Sequence, residues 1–225
     1  MKKILFILAF SNLLTSELIL EITQGTEDPY RVAILKFDGD QKVSNDINKI
    51  IRNDLKRSGE FNLFTNEDLL SLPTNETEVI FNDFKILNID FLVIGKIVKD
   101  GISISIIYEI FDINKGKKIR TSTVYGIPNK NRQLGHYISD GIYEEITGMK
   151  GISSTKILYV TENNNFNLMI ADADGSNEQI LLKSNDPIIS PAWSPDSKKV
   201  AYVSFETGMA KVYIKILHLV KENSQ

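Results

Sequence analysis

Lys156-Ile-Leu-Tyr-Val-Thr161 and Lys199-Val-Ala-Tyr-Val-Ser204 are two versions of one segment, set 43 residues apart. Between them, Ser190-Pro-Ala-Trp-Ser-Pro-Asp-Ser197 is a turn-rich stretch joining two short apolar runs. Self-similarity at about 40–45 residues, with several short strands per unit, marks the blades of a β-propeller. The first copy closes on the turn Asp172-Ala-Asp-Gly175, whereas the matching end of the second, Lys215-Ile-Leu-His-Leu-Val220, holds no turn residue. The repeat is therefore expected over residues 156–214, about one and a half blades, with 215–225 a divergent tail. A frameshift, an early stop or a split gene would leave such an end. Fewer than about three repeats seldom hold together, so residues 153–225 are expected to be poorly ordered or aggregation-prone in isolation.

Upstream the pattern changes to a mixture of strands and helices. Arg31-Val-Ala-Ile-Leu-Lys-Phe37 reads as a buried strand broken by Asp38-Gly39-Asp40. A helix follows, with Ser44 or Asn45 as cap, Ile47, Ile50, Ile51 and Leu55 on one face, and Gly59 as its stop. Phe61 to Phe64 is a second strand, and Asn66 is expected to cap a short turn ended by Pro73. Residues 76–88 read as a helix with Ile80, Phe84 and Leu87 facing inward. Phe91 to Val98 leads through Lys99-Asp-Gly101 into Ile102, Ile104 and Ile106, which alternate with serines, and Asn114-Lys-Gly116 turns into Ile119 to Tyr125. A helix over Asn131–Ile146 carries the stripe Leu134, Ile138, Ile142 and Ile146, closed by Gly148. The fold class is an α+β amino-terminal domain, helices on a mixed sheet, followed by the start of an all-β propeller. Its expected parts are 17–28 for an amino-terminal arm, 29–148 for the α/β domain and 149–155 for a linker.

At 225 residues the chain holds one large or two ordinary domains. A net charge of −3 gives no basic footprint for nucleic acid, and the lack of cysteine excludes disulfides and thiolate metal sites. Residues 1–16 differ from the rest. Lys2 and Lys3 precede the apolar run Ile4 to Phe10, and small and polar residues follow to Ser16. That is the layout of a secretory signal, too short to span a bilayer; an uncleaved anchor or a buried first strand is the other reading. Next comes Glu17-Leu-Ile-Leu-Glu-Ile-Thr-Gln-Gly25, charged at its ends and apolar between, suited to an edge strand or to pairing with another protein.

Three stretches together resemble the TolB family of the Tol–Pal system. Glu21-Ile-Thr-Gln-Gly25 follows the signal. Ile138-Ser-Asp-Gly-Ile-Tyr-Glu-Glu-Ile-Thr-Gly148 leads through Gly151 into Lys156 to Thr161. Ala171-Asp-Ala-Asp-Gly175 and Ser190 to Ser204 complete the set. The Ser-Pro-Asp turn alone is common to many propellers; the order of the three is what is specific. The resemblance implies a periplasmic protein about twice this length, with an α/β domain and a six-bladed propeller. It implies a binding scaffold, not an enzyme, joining inner-membrane TolA to the outer-membrane lipoprotein Pal in support of cell division and outer-membrane integrity. By resemblance, Glu17, Leu18, Ile19, Leu20, Glu21, Ile22, Thr23, Gln24 and Gly25 bind the TolA carboxy-terminal domain, and the propeller binds Pal, here impaired for want of blades. Ser190, Pro191, Ala192, Trp193, Ser194, Pro195 and Asp196 form the structural propeller motif, with Trp193 packed between blades. Ser197 stands where the family has glycine, tolerable with a negative φ.

Chemistry-bearing residues are few. His136 reads as a helix-surface residue, and no histidine has a glutamate at metal spacing. Asp172 to Asn177 lacks the glycine and glutamate positions of a calcium loop, so it reads as a hairpin turn. No phosphate-cradling loop or nucleophile elbow is present, and no cofactor is expected. The rival class is the propeller of a prolyl-oligopeptidase-like serine peptidase, for which neither a triad nor the preceding α/β domain fits.

Overall fold

The computed structural model describes residues 28–217. The expected signal, residues 17–25 and His218 lie outside them. Among the described residues, strand β1 (Tyr30–Ile34) is followed by helix α1 (Gln41–Arg57), β2 (Phe61–Phe64), the short α2 (Phe81–Ile86), a meander of β3 (Phe91–Asp100), β4 (Ser103–Asp112) and β5 (Lys117–Gly126), and helix α3 (Asn131–Thr147). These build a five-stranded sheet ordered β2-β1-β3-β4-β5. β1 runs parallel to both β2 and β3, and the meander is antiparallel. The parallel pairs follow from the crossovers: a helix or a long loop separates β1, β2 and β3, which lets each strand return in the same direction.

Both long helices lie on one face of the sheet. Val43, Ile47, Ile51 and Leu55 of α1 and Leu134, Ile138, Ile142 and Ile146 of α3 are buried against Val32, Ile34, Val93, Ile97, Ile104, Ile106 and Ile110. The other face carries a smaller core, where Phe84 and Ile89 cover Ala33, Leu35, Leu92, Ile94 and Phe111. Gly39 permits the close turn into α1. It has φ +115°, and a Cβ there would sit 2.5 Å from the Ile97 carbonyl oxygen.

Local details depart from expectation. The cap of α1 is Asp40, which accepts from the Val43 amide at 3.0 Å, because the Ser44 hydroxyl is buried and donates to the Phe37 carbonyl. Thr65, not Asn66, precedes the short turn, sharing a capping box with Asp68. Residues 76–88 hold a 3-10 turn (Glu76–Glu78) and then α2, broken between them by extended Val79 and Ile80. That break leaves Ile80 56% exposed instead of facing inward. Ile102 occupies the hairpin tip and is 89% exposed, although Ile104 and Ile106 are buried as their alternation predicts.

Six further strands follow, β6 (Lys156–Asn163), β7 (Asn165–Asp172), β8 (Gln179–Ser184), β9 (Ile188–Trp193), β10 (Lys199–Ser204) and β11 (Lys211–Ile216). They form two antiparallel three-stranded sheets, β6-β7-β8 and β9-β10-β11. The repeated segments are β6 and β10, and each pairs with its successor in the same sense: Tyr159 opposes Met169 and Tyr202 opposes Tyr213. β10 has a strand before it and β6 does not. In a four-stranded blade the first sheet therefore supplies strands two to four and the second supplies strands one to three. Pairing continues past Ile214 to Ile216, so the strand outlasts the sequence similarity.

Trp193 is half-buried and packs on the cluster of Leu168 from β7, Ile188 from β9 and Val200 from β10, which joins the two sheets. Ser190, at φ +52°, and Pro191 form a bulge opposite Tyr202. Ser194, Pro195 and Asp196 make the β9–β10 turn: the Ser197 amide donates to the Ser194 carbonyl at 2.9 Å, and Asp196 accepts from the Ser194 hydroxyl and the Lys198 amide. Ser197 sits at φ +56°, contrary to the negative φ that a serine there would tolerate. The turn geometry imposes the left-handed conformation on a residue that pays for its Cβ there.

Candidate functional site

The most highly organised polar region lies where α3, residues 148–155 and the β7–β8 turn meet. α3 ends in a left-handed Gly148, and the chain then doubles back along the helix. Asp140, on α3, accepts from the Ser153 amide at 2.7 Å with one oxygen and from the Ser154 amide at 2.9 Å with the other. Gly151 allows that approach, since a Cβ on it would lie 2.5 Å from the Asp140 Cα. The segment between helix and blade is thus pinned.

The turn Asp172 to Asn177 is shaped by its own backbone and side chains. The Gly175 amide donates to the Asp172 carbonyl and the Asp172 amide to the Ser176 carbonyl, both at 2.8 Å. Asp174 accepts from the Ser176 amide, and Asn177 donates to Asp172. The two carboxylates thereby face α3. Arg132 donates from Nε to Asp172 at 3.1 Å and from its terminal nitrogen to Asp174, while Lys156 holds the second oxygen of Asp172 at 2.8 Å. Burial pushes both carboxyls upward, but the cations outweigh it. Arg132 and the Ser176 amide hold Asp174 down at about 2, and Lys156, Arg132 and Asn177 lower Asp172. The Arg132 guanidinium is raised in turn, its partial burial offset by Asp174 and Asp172.

Deeper in the same region, Asp54 of α1 is 4% exposed and holds three donors. His136 Nδ1 lies 2.6 Å from its Oδ2, the Ser139 hydroxyl donates to that oxygen at 3.0 Å, and Arg57 donates to Oδ1. His136 is thus buried, not on the helix surface as its sequence position suggested. It points into the seam between α1 and α3, where Gly135 lets Ile50 approach: a Cβ on that glycine would meet Ile50 Cγ2 at 2.8 Å. The sequence signal was Gly135 and Ser139, two small residues at i, i+4 beside His136, which mark a close helix–helix contact.

Asp54, His136 and Asp174 offer ligand-type atoms within 4.8 Å of one another. Their charge is already met. Asp54, Asp172 and Asp174 face Arg57, Arg132 and Lys156, three acids against three cations. These contacts form an ion-pair network joining α1, α3 and the β7–β8 turn, with His136 Nε2 buried and without a hydrogen-bond partner among the described residues. Beside it runs a cleft of about 900 Å³ with Asn129, Arg132 and His136 on one wall and Ser154, Lys156 and Asn177 on the other. The Ser190 to Asp196 motif lies on β9 and the β9–β10 turn and is not among the residues lining this cleft. No described helix is long and apolar enough to cross a membrane.

Comparison with known proteins bears on the whole chain. Residues 18–119 match the family model of the TolB amino-terminal domain, and residues 143–224 match that of the TolB β-propeller domain. The chain is 41% identical over 207 residues to the Tol-Pal system protein TolB of Alcanivorax borkumensis, covering 88% of this chain and 47% of the relative. It is 37% identical over 227 residues to that of Hahella chejuensis, covering 96% and 53%. The crystal structure of TolB from Acinetobacter baumannii is similar with a TM-score of 0.76 at 34% identity, over 88% of this chain and 49% of that one. The chain spans about half the length of the curated relatives it matches.

Proposed function

Because the chain belongs to the TolB family, we propose that it is a periplasmic component of the Tol–Pal system. It acts as a protein-binding scaffold and not as an enzyme. Residues 17–25 bind the TolA carboxy-terminal domain by adding a strand to an exposed sheet edge, with backbone hydrogen bonds supplying much of the affinity. The blades over 156–216 supply part of a surface for the lipoprotein Pal. The two contacts link inner-membrane TolA to the outer membrane, in support of its invagination at division and of its integrity. One observation carries this reading: both TolB family models match in family order along a single chain.

The test is retention of the full chain by immobilised TolA carboxy-terminal domain and, separately, by Pal. Among the described residues the sheet begins at Tyr30 of β1, whose amide donates to the Glu60 carbonyl, so a deletion of residues 17–28 stops short of it. That deletion is expected to abolish retention on TolA with an unchanged far-UV circular dichroism spectrum. Retention of the deleted chain at full-length affinity would refute the assignment of the arm.

A further inference from the structure

We propose that the first blade is held folded by the α/β domain through a brace centred on Arg132, with α3 and residues 151–155 standing in for a neighbouring blade. The two blade sheets bury little by themselves. Their shared core has three buried apolar residues, Leu168, Ile188 and Val200, against eighteen buried residues in the helix-facing core of the α/β domain. Ile170 and Ala171 of β7 are buried too, and eight half-buried hydrophobics surround the cluster, but this is thin apolar burial against the entropy of ordering residues 156–216. β11 presents Val212, Ile214 and Ile216 to solvent, and Ile157 and Ile180 are exposed on the first sheet.

Polar bonds to the α/β side supply what the blade lacks. Arg132 forks onto Asp172 and Asp174, a planar bidentate arrangement that fixes direction as well as distance. Asp140 takes the Ser153 and Ser154 amides, and the Ala173 amide donates to the Thr155 carbonyl at 3.0 Å. The Asp140 bonds fix the returning segment on α3, and the Arg132 fork and the Ala173–Thr155 bond tie α3 and that segment to the β7–β8 turn. α3 is itself anchored by contacts that do not involve the blade, through Leu134 and Ile138 in the core and through His136 and Ser139 on Asp54. The brace is therefore preorganised on the α/β side, and the blade folds against it.

Native-state hydrogen exchange of the full chain, read by mass spectrometry, tests this without any partner protein, so its outcome is independent of TolA and Pal. In Arg132→Gln, protection of peptides from β6, β7 and β8 is expected to fall by roughly 10–100-fold, with β3 and β4 unchanged. Asp174→Asn, which alters only the blade side, is expected to give the same pattern. Arg120→Gln removes the same charge from a pair within the α/β domain, with Glu145, and should leave the blade untouched. Unchanged blade protection in Arg132→Gln and Asp174→Asn overturns the proposal. So does an equal loss in β3 and β4 of Asp174→Asn.

Discussion

Replacing Asp54 with asparagine tests the buried network at its centre. Asp54 is 4% exposed and its side chain accepts from His136, Ser139 and Arg57. Asparagine keeps the shape, but its amide nitrogen must face a donor: either the His136 and Ser139 pair at Oδ2 or Arg57 at Oδ1. Arg57 is about two-fifths exposed and can turn to water, so the nitrogen settles on its side. The two inner bonds then survive as neutral ones. Hydrogen bonds to a charged group contribute about 1.5–3 kcal/mol and neutral ones about 1. Weakening two and losing a screened third amounts to about 2–3 kcal/mol. Asp54→Ala, which strands both buried donors, should cost about 3–5 kcal/mol. Urea unfolding of the full chain at neutral pH, followed by far-UV circular dichroism, measures both. The decisive feature is the order, with alanine worse than asparagine and both well above the ±0.5 kcal/mol of an ordinary surface change. An Asp54→Ala variant within 0.5 kcal/mol of the natural chain would show that His136 and Ser139 do not depend on this carboxylate.

Two other outcomes follow from backbone strain and from charge. Ser197→Gly should stabilise the β9–β10 hairpin by about 0.5–1 kcal/mol, because the residue sits at φ +56°; slower exchange of the Lys199 to Ser204 amides would register it, and faster exchange would contradict it. Asp174 has a depressed pKa, so its contribution to the junction is complete above the ordinary carboxyl value near 3.8 and is lost as pH falls toward about 2. The contribution is about 1 kcal/mol after allowance for solvent screening. Blade exchange corrected for intrinsic rate should accelerate over that window in the natural chain and much less in Asp174→Asn, and equal acid responses would refute the assignment.

The elements whose signals are local were legible. Ile47, Ile51 and Leu55 of α1 and the α3 stripe are buried as their spacing requires, Ile50 is half-buried beside Gly135, and Gly59, Gly101, Gly116 and Gly148 all take the positive φ expected of turn and cap residues. The equivalence of the Tyr159 and Tyr202 segments also survives, since both pair with the following strand in the same sense. Signals that depend on competition between partners were not legible. Ser44 looks like a cap until the Phe37 carbonyl claims its hydroxyl, and Ile80 looks like a core residue until the helix breaks at Val79.

The candidate site divides in the same way. The sequence marked Asp172 to Asn177 as a turn, and a turn is what forms, with Gly175 at φ +80°. Nothing in it announced that its carboxylates would meet an arginine 40 residues earlier, or that His136 would meet Asp54, 82 residues before it.

By itself the sequence determined the periodicities, the turns, the α+β-then-blade order and the family, because each is written within a few residues or in the order of short motifs. Tertiary structure alone decided the parallel pairing around β1, the burial of His136 and the anchoring of the blade on α3. Those depend on which distant groups are brought together, and a buried charge finds its partner only after the helices have packed.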